Sequence, residues 1–315
     1  MAKTLNPKIL VAIPALNEAL TLYSVVRDIR EVFSGLSYEI LVIDDGSSDD
    51  TSSIASKSGC HVIAHAKTLG VGMAFRSATD FAKKMNYSGM ATIDADGQYK
   101  AEDLLRLVHE AQNNQHLDLV SGTRFESARG ARRVPLLKRQ GNKILASLVS
   151  KLVAQKISDS ACGLRFYTKE ALRFVHLRGR FTYTQETLMD IAFRGLTIRQ
   201  IPIDVEYFNG RQSRVAGNLL NYGAKAISII AKAARDYFPM RIFGSLSLVS
   251  SMLATIFSSV FLFQFLASGA FSGFLFAGLL GAFFWLIAIV SLGVGLIIDS
   301  LCDIRLSITR NARSD

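Results

Sequence analysis

The chain of 315 residues has room for one large domain or two ordinary ones, carries a formal net charge of +10, and half of its residues are apolar. Its three cysteines (Cys60, Cys162 and Cys302) are scattered without disulfide or zinc-site spacing, which favours a reduced, cytoplasmic compartment. We find no recognition-helix, zinc-finger or RNA-binding signature and expect no nucleic-acid partner. Attraction to an anionic membrane surface explains the positive charge more simply.

From the N-terminus onward, short apolar runs alternate with amphipathic stretches. The runs predict strands at 8–14, 38–47, 60–66, 90–96 and 117–124. Helical periodicity predicts helices at 18–33, about 72–86 and about 101–113. Continuous apolar strands interleaved with amphipathic helices are typical of a mostly parallel sheet that is covered on both faces. The sequence therefore predicts an α/β domain.

Polar residues follow three of these predicted strands, in the segments PALNE, DDGSSDDT and DADGQ. In parallel sheets ligands bind beyond the carboxyl ends of the strands, so these tips should gather along one edge. Asp94 and Asp96 would share a face if their strand continued through them, and only one need touch a metal if the chain turns at Ala95. Carboxylates with open positions suit Mg²⁺ or Mn²⁺. The alternative to a metal site is a purely structural role, because strands often end in Asp, which favours turns.

A basic segment extends from Arg124 to Lys143, where Glu126 is the one acid. It is either an ordinary solvated loop or a mobile loop that grips phosphates, for which arginine offers bidentate geometry.

The C-terminal part contains an uncharged run from Ile242 to Ile298, long enough for two membrane spans. Arg241 precedes the run and Arg305 follows it, so both termini should be cytoplasmic. Buried helices of a soluble core are the alternative. Glycines in the second span could allow oligomers. The predicted divisions are a catalytic domain at 1–210, amphipathic interfacial helices at 211–241, two transmembrane helices within 242–298 (about 242–266 and 275–298) and a cytoplasmic tail at 299–315.

Taken together, the motifs resemble one family. PALNE, DDGSSDDT, KTLGVGMAFR and IDADGQY are similar, in order and spacing, to the nucleotide-sugar-binding half of the family 2 glycosyltransferases, which have the Rossmann-like GT-A fold. TRFESARGARRVPLLKRQGN, DSACGLRFYTKEAL and YTQETLMDIAFRGLTIRQIPIDVEY resemble the acceptor half of the branch that uses polyisoprenyl phosphates, the dolichol-phosphate mannose synthases and bactoprenol glucosyltransferases. The resemblance covers essentially the whole chain and is nearest to the bactoprenol type.

The resemblance implies roles for individual residues. Residues implied in donor nucleotide binding are Pro14, Ala15, Asn17, Glu18, Asp45, Lys67, Arg76, Asp94 and Gln98. Asp94 and Asp96 match the metal-binding Asp-x-Asp, with Asp96 as the more direct ligand. The catalytic group comprises Asp96, Asp159, Arg165 and Glu186. Residues implied in acceptor phosphate binding are Arg124, Arg129, Arg132, Arg139, Arg211, Ser213 and Arg214, although the spacing of the last three departs from the family pattern.

The implied reaction is metal-dependent transfer of one sugar, glucose from UDP-glucose by preference, to undecaprenyl phosphate at the cytoplasmic face of the plasma membrane. A single displacement of this kind inverts the anomeric carbon. Asp159 is either a base or a residue that orients arginines. A homo-oligomer and a flippase partner are further expectations.

Two alternatives belong to other classes. A processive polysaccharide synthase would carry a Gln-x-x-Arg-Trp segment, but the single tryptophan, Trp285, lies in the apolar run. A non-catalytic scaffold that binds a nucleotide sugar would be favoured by loss of Asp94 or Asp96, and both are present.

Overall fold

The computed structural model describes residues 8–126, 136–175, 183–206, 227–228, 230–232, 234–269 and 274–314. The chain divides into two compact units, Met1–Ile230 and Ala231–Asp315.

The first unit is built on a sheet of seven strands over the described residues. The strands are β1 (Ile9–Ala15), β2 (Tyr38–Asp44), β3 (His61–Ala64), β4 (Gly89–Thr92), β5 (Leu119–Thr123), β6 (Arg165–Thr168) and β7 (Ile198–Pro202). Their order is β3-β2-β1-β4-β6-β5-β7, and β6 alone runs antiparallel to both of its neighbours. The prediction of a mostly parallel sheet is therefore confirmed. The short strands β6 and β7 were not predicted, because each contains an arginine that interrupts the apolar pattern by which strands are recognised.

Helices cover both faces of this sheet. They are α1 (Leu22–Val32), α2 (Thr51–Lys57), α3 (Val71–Lys84), α4 (Ala101–Asn113), α5 (Leu136–Val153), α6 (Lys169–Phe174) and α7 (Thr184–Phe193). Val11 and Ile13 of β1 belong to one buried cluster with apolar residues of α1 and α4. Leu10, which alternates with them and so points to the opposite face, is also fully buried, and α3 packs against β1 and β2.

The strand that carries the Asp-x-Asp is shorter than predicted. β4 ends at Thr92 rather than at residue 96, and the chain turns at Ala95 and Asp96. The two aspartates therefore lie in a turn beyond the strand, which corresponds to the second of the two geometries considered from the sequence.

The second unit contains two long helices, α8 (Pro239–Ser268) and α9 (Leu275–Ser314). Pro239–Ser268 and Leu275–Ile304 are each 30 residues long and apolar enough to cross a membrane. They contain the two spans predicted at 242–266 and 275–298. The helices pack closely, because a Cβ added at Gly281 would lie 2.6 Å from Ser258 Oγ.

The predicted interfacial segment lies mostly outside the described residues. Its residues 227–228, 230–232 and 234–237 are helical, with Ile227 exposed and Ile230 buried. The predicted tail from 299 continues α9 as far as Ser314.

Candidate active site

The loops that follow β1 and β2 are joined by hydrogen bonds. The Asn17 N–H donates to Ser47 Oγ (2.8 Å), and Asn17 Oδ1 accepts from the Ser48 N–H (2.7 Å). The Glu18 N–H donates to Thr51 Oγ1 (2.8 Å). Asn17 adopts a φ of 50°, a left-handed conformation that asparagine tolerates better than most residues. The two loops thus form one wall at the carboxyl edge of the sheet, directly after Pro14 and Ala15 at the end of β1.

Asp45 anchors a third loop to this wall. Its carboxylate accepts from the N–H groups of Leu69 (3.0 Å) and Gly70 (2.8 Å) and contacts His65 Nδ1 at 2.7 Å. The sequence resemblance implied that Asp45 takes part in donor nucleotide binding; here its oxygens accept hydrogen bonds from the protein itself. Lys67 and Arg76, also assigned to the donor side, are exposed.

The Asp-x-Asp turn joins the same edge. Thr21 Oγ1, after β1, donates to the carbonyl of Ala95 at 2.8 Å, and the Gln98 N–H donates to Asp96 Oδ1 at 3.0 Å. The three tips expected to gather along one edge therefore do so.

The Asp94 carboxyl group has an unusual charge environment. Burial, together with the neighbouring Asp96 carboxylate, raises the pKa of Asp94 to about 7, and the Arg124 guanidinium acts in the opposite direction. Burial also raises the pKa of Asp96. Two carboxyl groups that oppose each other's ionisation in a half-buried turn form a site that a cation would stabilise.

Gly163 and two tyrosines complete the wall beside Asp94. A Cβ added at Gly163 would lie 3.1 Å from each Asp94 carboxylate oxygen. The Gly163 carbonyl accepts from Thr92 Oγ1 (2.7 Å) and Tyr183 OH (3.3 Å), and its N–H donates to Tyr99 OH (3.4 Å). These bonds fix the 163 backbone at a point where any side chain larger than that of glycine would press on the Asp94 carboxylate.

Arg124 and Asp159, which the resemblance assigns to acceptor binding and to catalysis, form an ion pair. Asp159 is fully buried, and Arg124 donates to it through Nε (2.7 Å), Nη2 (2.9 Å) and the backbone N–H (3.2 Å). The Ala161 N–H gives the Asp159 carboxylate a fourth donor at 3.0 Å. Arg124 Nη1 makes no hydrogen bond within the described part of the chain, and the side chain remains 16% exposed. The pair thus presents one edge of a guanidinium near Asp94.

Arg165 and Glu186, the other two residues of the implied catalytic group, occupy different environments. Arg165 is fully buried and donates to the carbonyls of Cys162 (2.9 Å) and Thr184 (2.9 Å) and to Thr187 Oγ1 (2.8 Å). It ties the loop before β6 to the start of α7. Glu186 lies half-buried in the first turn of α7.

The chemistry of the Asp94 and Asp96 pair fits a divalent cation. Within the described residues no group of three or more His, Cys, Asp or Glu side chains could hold a metal ion. Mg²⁺ in particular is commonly bound by one or two carboxylates together with phosphate oxygens of the substrate. The pair meets that requirement, because burial raises the pKa of both carboxyl groups and the Asp96 charge raises that of Asp94 further.

The remaining predicted phosphate-binding residues are only partly placed. Arg139 is exposed on α5. Arg129, Arg132, Arg211, Ser213 and Arg214 lie outside the described residues.

Several residues around the site were not predicted. Thr92, Tyr99 and Tyr183 surround Gly163, His65 bridges Asp45 to Ser77, and Gln200 binds the backbone of Ser158 and Asp159. Single polar residues at strand ends carry no spacing signal, so these contacts follow only from the order of the strands.

Comparison with known proteins identifies the family. Residues 10–175, more than half of the chain, match the model for glycosyl transferase family 2. The chain belongs to this family. As a family member it is a glycosyltransferase, and the sheet edge described above is its candidate active site.

Three comparisons place this family member among known glycosyltransferases. It is 32% identical over 187 residues to the dolichyl-phosphate hexose transferase of Haloferax volcanii, covering 59% of this chain and 78% of the relative. It is 27% identical over 231 residues to the UDP-N-acetylglucosamine–dolichyl-phosphate N-acetylglucosaminyltransferase of Methanococcus voltae, covering 67% and 90%. Its fold is similar to glucosyl-3-phosphoglycerate synthase from Mycobacterium tuberculosis in complex with Mn²⁺, UDP and glucosyl-3-phosphoglycerate (TM-score 0.56, 21% identity, covering 72% and 80%). This last similarity establishes the GT-A fold.

Proposed function

We propose that this glycosyltransferase moves one sugar from a nucleotide sugar to a polyisoprenyl phosphate at the cytoplasmic face of the plasma membrane. One observation carries the proposal. In this family 2 chain the Arg124 guanidinium, held by Asp159, lies close enough to the Asp-x-Asp turn for its charge to act on Asp94. The names of the two sequence relatives, both dolichyl-phosphate sugar transferases, support the lipid acceptor. The relatives differ in sugar; from the sequence resemblance we propose UDP-glucose as donor and undecaprenyl phosphate as acceptor.

On the donor side, Asp94 and Asp96 would hold Mg²⁺ or Mn²⁺. When bound, the ion supplies positive charge that stabilises the departing nucleoside diphosphate. The turn is fixed on two sides, since Thr21 holds the Ala95 carbonyl and Gln98 donates to Asp96. The loop anchored by Asp45 closes the far side of the nucleotide site.

On the acceptor side, Arg124 would bind the anionic acceptor. A phosphate monoester is already largely ionised near pH 7, so one of its oxygens can attack the anomeric carbon directly. As that C–O bond forms, the bond to the nucleoside diphosphate breaks on the opposite side, and the configuration inverts. No proton need be removed by the protein in this step. The four donors on the Asp159 carboxylate support the orienting role for this residue rather than the role of a base.

Two features support a membrane location. α8 and α9 are long and apolar enough to span a bilayer, and we propose that both termini are cytoplasmic. In addition, α5 exposes two large apolar side chains, Ile144 and Leu148, next to exposed lysines at 143 and 151. A helix face of this composition suits an anionic headgroup layer. A homo-oligomer and a flippase partner remain proposals from the sequence.

A transfer assay tests the proposal. Purified protein would be incubated with undecaprenyl phosphate, Mn²⁺ or Mg²⁺ and a panel of radiolabelled nucleotide sugars, and the lipid would be extracted and counted. Metal-dependent label in the lipid from one donor is the expected result. Nucleotide binding without label from any donor would favour the scaffold alternative. A reporter fused to the C-terminus should report a cytoplasmic position, and a signal from the opposite side would overturn the topology.

A further inference from the structure

Gln200 of β7 clamps the backbone that carries Asp159. Its Oε1 accepts from the N–H groups of Ser158 (2.7 Å) and Asp159 (3.2 Å) and lies 3.1 Å from Ser158 Oγ. Its Nε2 donates to the Asp159 carbonyl at 2.7 Å. One primary amide therefore satisfies donors and an acceptor on two successive residues, which fixes both the position and the rotation of this peptide segment.

The sheet places this clamp beside the start of the Arg124 segment. β7 pairs in parallel with β5, with Gln200 opposite Ser121, and Arg124 follows β5 directly. Asp159 bridges the two neighbouring strand ends, since its backbone is held by Gln200 and its carboxylate holds Arg124. The guanidinium orientation thus depends on contacts from two adjacent strands.

Gln200 does not contact Arg124 directly, but it affects the orientation of the Arg124 guanidinium through Asp159. Two of the guanidinium nitrogens, Nε and Nη2, are bound to Asp159, so the direction of the remaining Nη1 is set by where the Asp159 carboxylate lies. A small rotation of the 158–159 backbone would move the guanidinium relative to the Asp-x-Asp turn.

The backbone at Ser158 and Asp159 is also held by residues other than Gln200, so the loss of the Gln200 amide should change only the local orientation of Asp159. Asn142 Nδ2 donates to the Ser158 carbonyl (3.1 Å), and Ser158 Oγ also donates to Glu126 (2.8 Å). Gln200 itself is only half-buried. Replacing it would therefore loosen the orientation of Asp159 while the loop stays attached.

We propose that Gln200 is a positioning residue for the transfer reaction, which orients the Arg124 guanidinium towards the anionic substrates through Asp159. This inference rests on the proposed function. Outer-shell partners that orient a ligand typically change activity by about 10- to 100-fold when removed, and we expect a loss of that size in kcat/KM for the acceptor in Gln200→Met.

A double-mutant cycle separates positioning from a general loss of structure. If Gln200 acts through Arg124, then Gln200→Met should change kcat/KM by less than about twofold once Arg124 is already methionine, because nothing remains to be oriented. If each single variant lowers kcat/KM and the loss in the double variant equals the product of the two single losses, the inference is overturned. Arg199→Met is the matched control on the same strand, because its exposed side chain pairs with Glu110, and it should keep the activity of the parent.

A second readout is independent of transfer. The affinity of the purified full chain for inorganic phosphate, the anionic group by which Arg124 would hold the acceptor, measured by calorimetry, should fall in both single variants and show the same non-additivity. If the parent protein makes no lipid product but this coupling is present, the proposed function fails and the positioning role stands. If transfer occurs and both cycles are additive, the positioning role fails and the function stands. Gln200→Glu, which retains the acceptor oxygens but loses the donor to Asp159, should fall between the parent and Gln200→Met in both assays.

Discussion

Gly163 lies so close to Asp94 that a Cβ added to the glycine would be 3.1 Å from both oxygens of the carboxylate. Such a separation is tighter than ordinary van der Waals contact, and the 163 backbone is held by Thr92 and Tyr183, so the carboxylate would have to move. We expect Gly163→Ala to weaken Mn²⁺-dependent transfer several-fold, since the carboxylate would have to shift by a few tenths of an ångström and a displacement near 1 Å can cost about 100-fold.

The control for this substitution is Gly141→Ala on α5, where an added Cβ meets nothing within 4 Å. Alanine at this helical position should raise stability by about 0.5–1 kcal/mol without changing transfer. Kinetics against Mn²⁺ concentration and thermal unfolding of both variants check the prediction. Parental metal dependence in Gly163→Ala would contradict the proposed metal role of Asp94.

Asp159→Asn should lower transfer strongly, because an amide cannot accept the two parallel hydrogen bonds of the Arg124 guanidinium. Breaking a buried ion pair on one side costs about 3–5 kcal/mol, and the partial exposure of Arg124 places the expected loss of stability towards the lower end. If Asp159 orients the arginine, the residual rate keeps the dependence on pH of the parent enzyme. Disappearance of the acidic limb would instead identify Asp159 as a base.

Asp103→Asn provides the comparison for Asp159→Asn. Asp103 is also buried and pairs with Arg106 at 2.7 Å on α4, but it is not part of the proposed site. The Asp103→Asn variant should therefore be less stable than the parent but keep the kcat of the parent. Unfolding midpoints and kcat measured on both variants distinguish the two roles.

Asp45→Asn should loosen the loop that closes the nucleotide site. The substitution replaces an acceptor of two N–H groups, from Leu69 and Gly70, with a group that can itself donate. An unsatisfied buried group costs about 1–3 kcal/mol, and part of that cost should appear as a higher KM for the nucleotide sugar with the acceptor KM unchanged. Asp50→Asn, at an exposed position in the same segment, should leave both constants unchanged. Equal rises in the two KM values in Asp45→Asn would argue against a role specific to the donor.

The raised pKa of Asp94 predicts a dependence of stability on pH when no metal is bound. Its pKa is about 7 in the folded chain, above the ordinary carboxyl value, so the folded state binds the proton more tightly than the unfolded state. This contribution is fully present below about pH 4 and is lost as the pH rises through about 7. Asp94→Asn removes the titration. The variant should therefore be more stable than the parent at about pH 8 in chelator, by on the order of 1 kcal/mol or roughly 2–4 °C in Tm.

Thermal unfolding at about pH 5 and about pH 8 checks this prediction, since the difference between variant and parent should grow with pH. Added Mn²⁺ should raise the Tm of the parent by more than that of Asp94→Asn, which keeps only the Asp96 carboxylate. A constant difference at both pH values would mean that Asp94 is not buried against Asp96 as the structure places it.

The sequence predicts the polar strand ends well, for a physical reason. The runs before PALNE, DDGSSDDT and DADGQ are continuous and apolar, and parallel strands bring their carboxyl ends to one edge. Contacts such as Thr21 to the Ala95 carbonyl follow from that arrangement.

Sequence reasoning could not specify the acceptor side to the same degree. β6 inserts antiparallel between β4 and β5, and this brings Gly163 beside Asp94 and carries Asp159 to Arg124. Arg124 and Asp159 are 35 residues apart, and Gln200 is a single amide, so the sequence pattern predicts neither contact. Both contacts depend on which strands become neighbours in the sheet. The proposal that Asp159 orients Arg124 rather than acting as a base likewise rests on its hydrogen-bond donors, which only the structure gives.

The measurement that tests the central claim most directly is mass spectrometry of the lipid product made by the parent enzyme and by Asp96→Ala. Purified protein would be supplied with undecaprenyl phosphate, Mn²⁺ and the donor found active. The account predicts a single product, undecaprenyl phosphate carrying one sugar, formed by the parent enzyme and nearly absent with Asp96→Ala or with chelator. A ladder of products with several sugars, or undiminished product from Asp96→Ala, would contradict it.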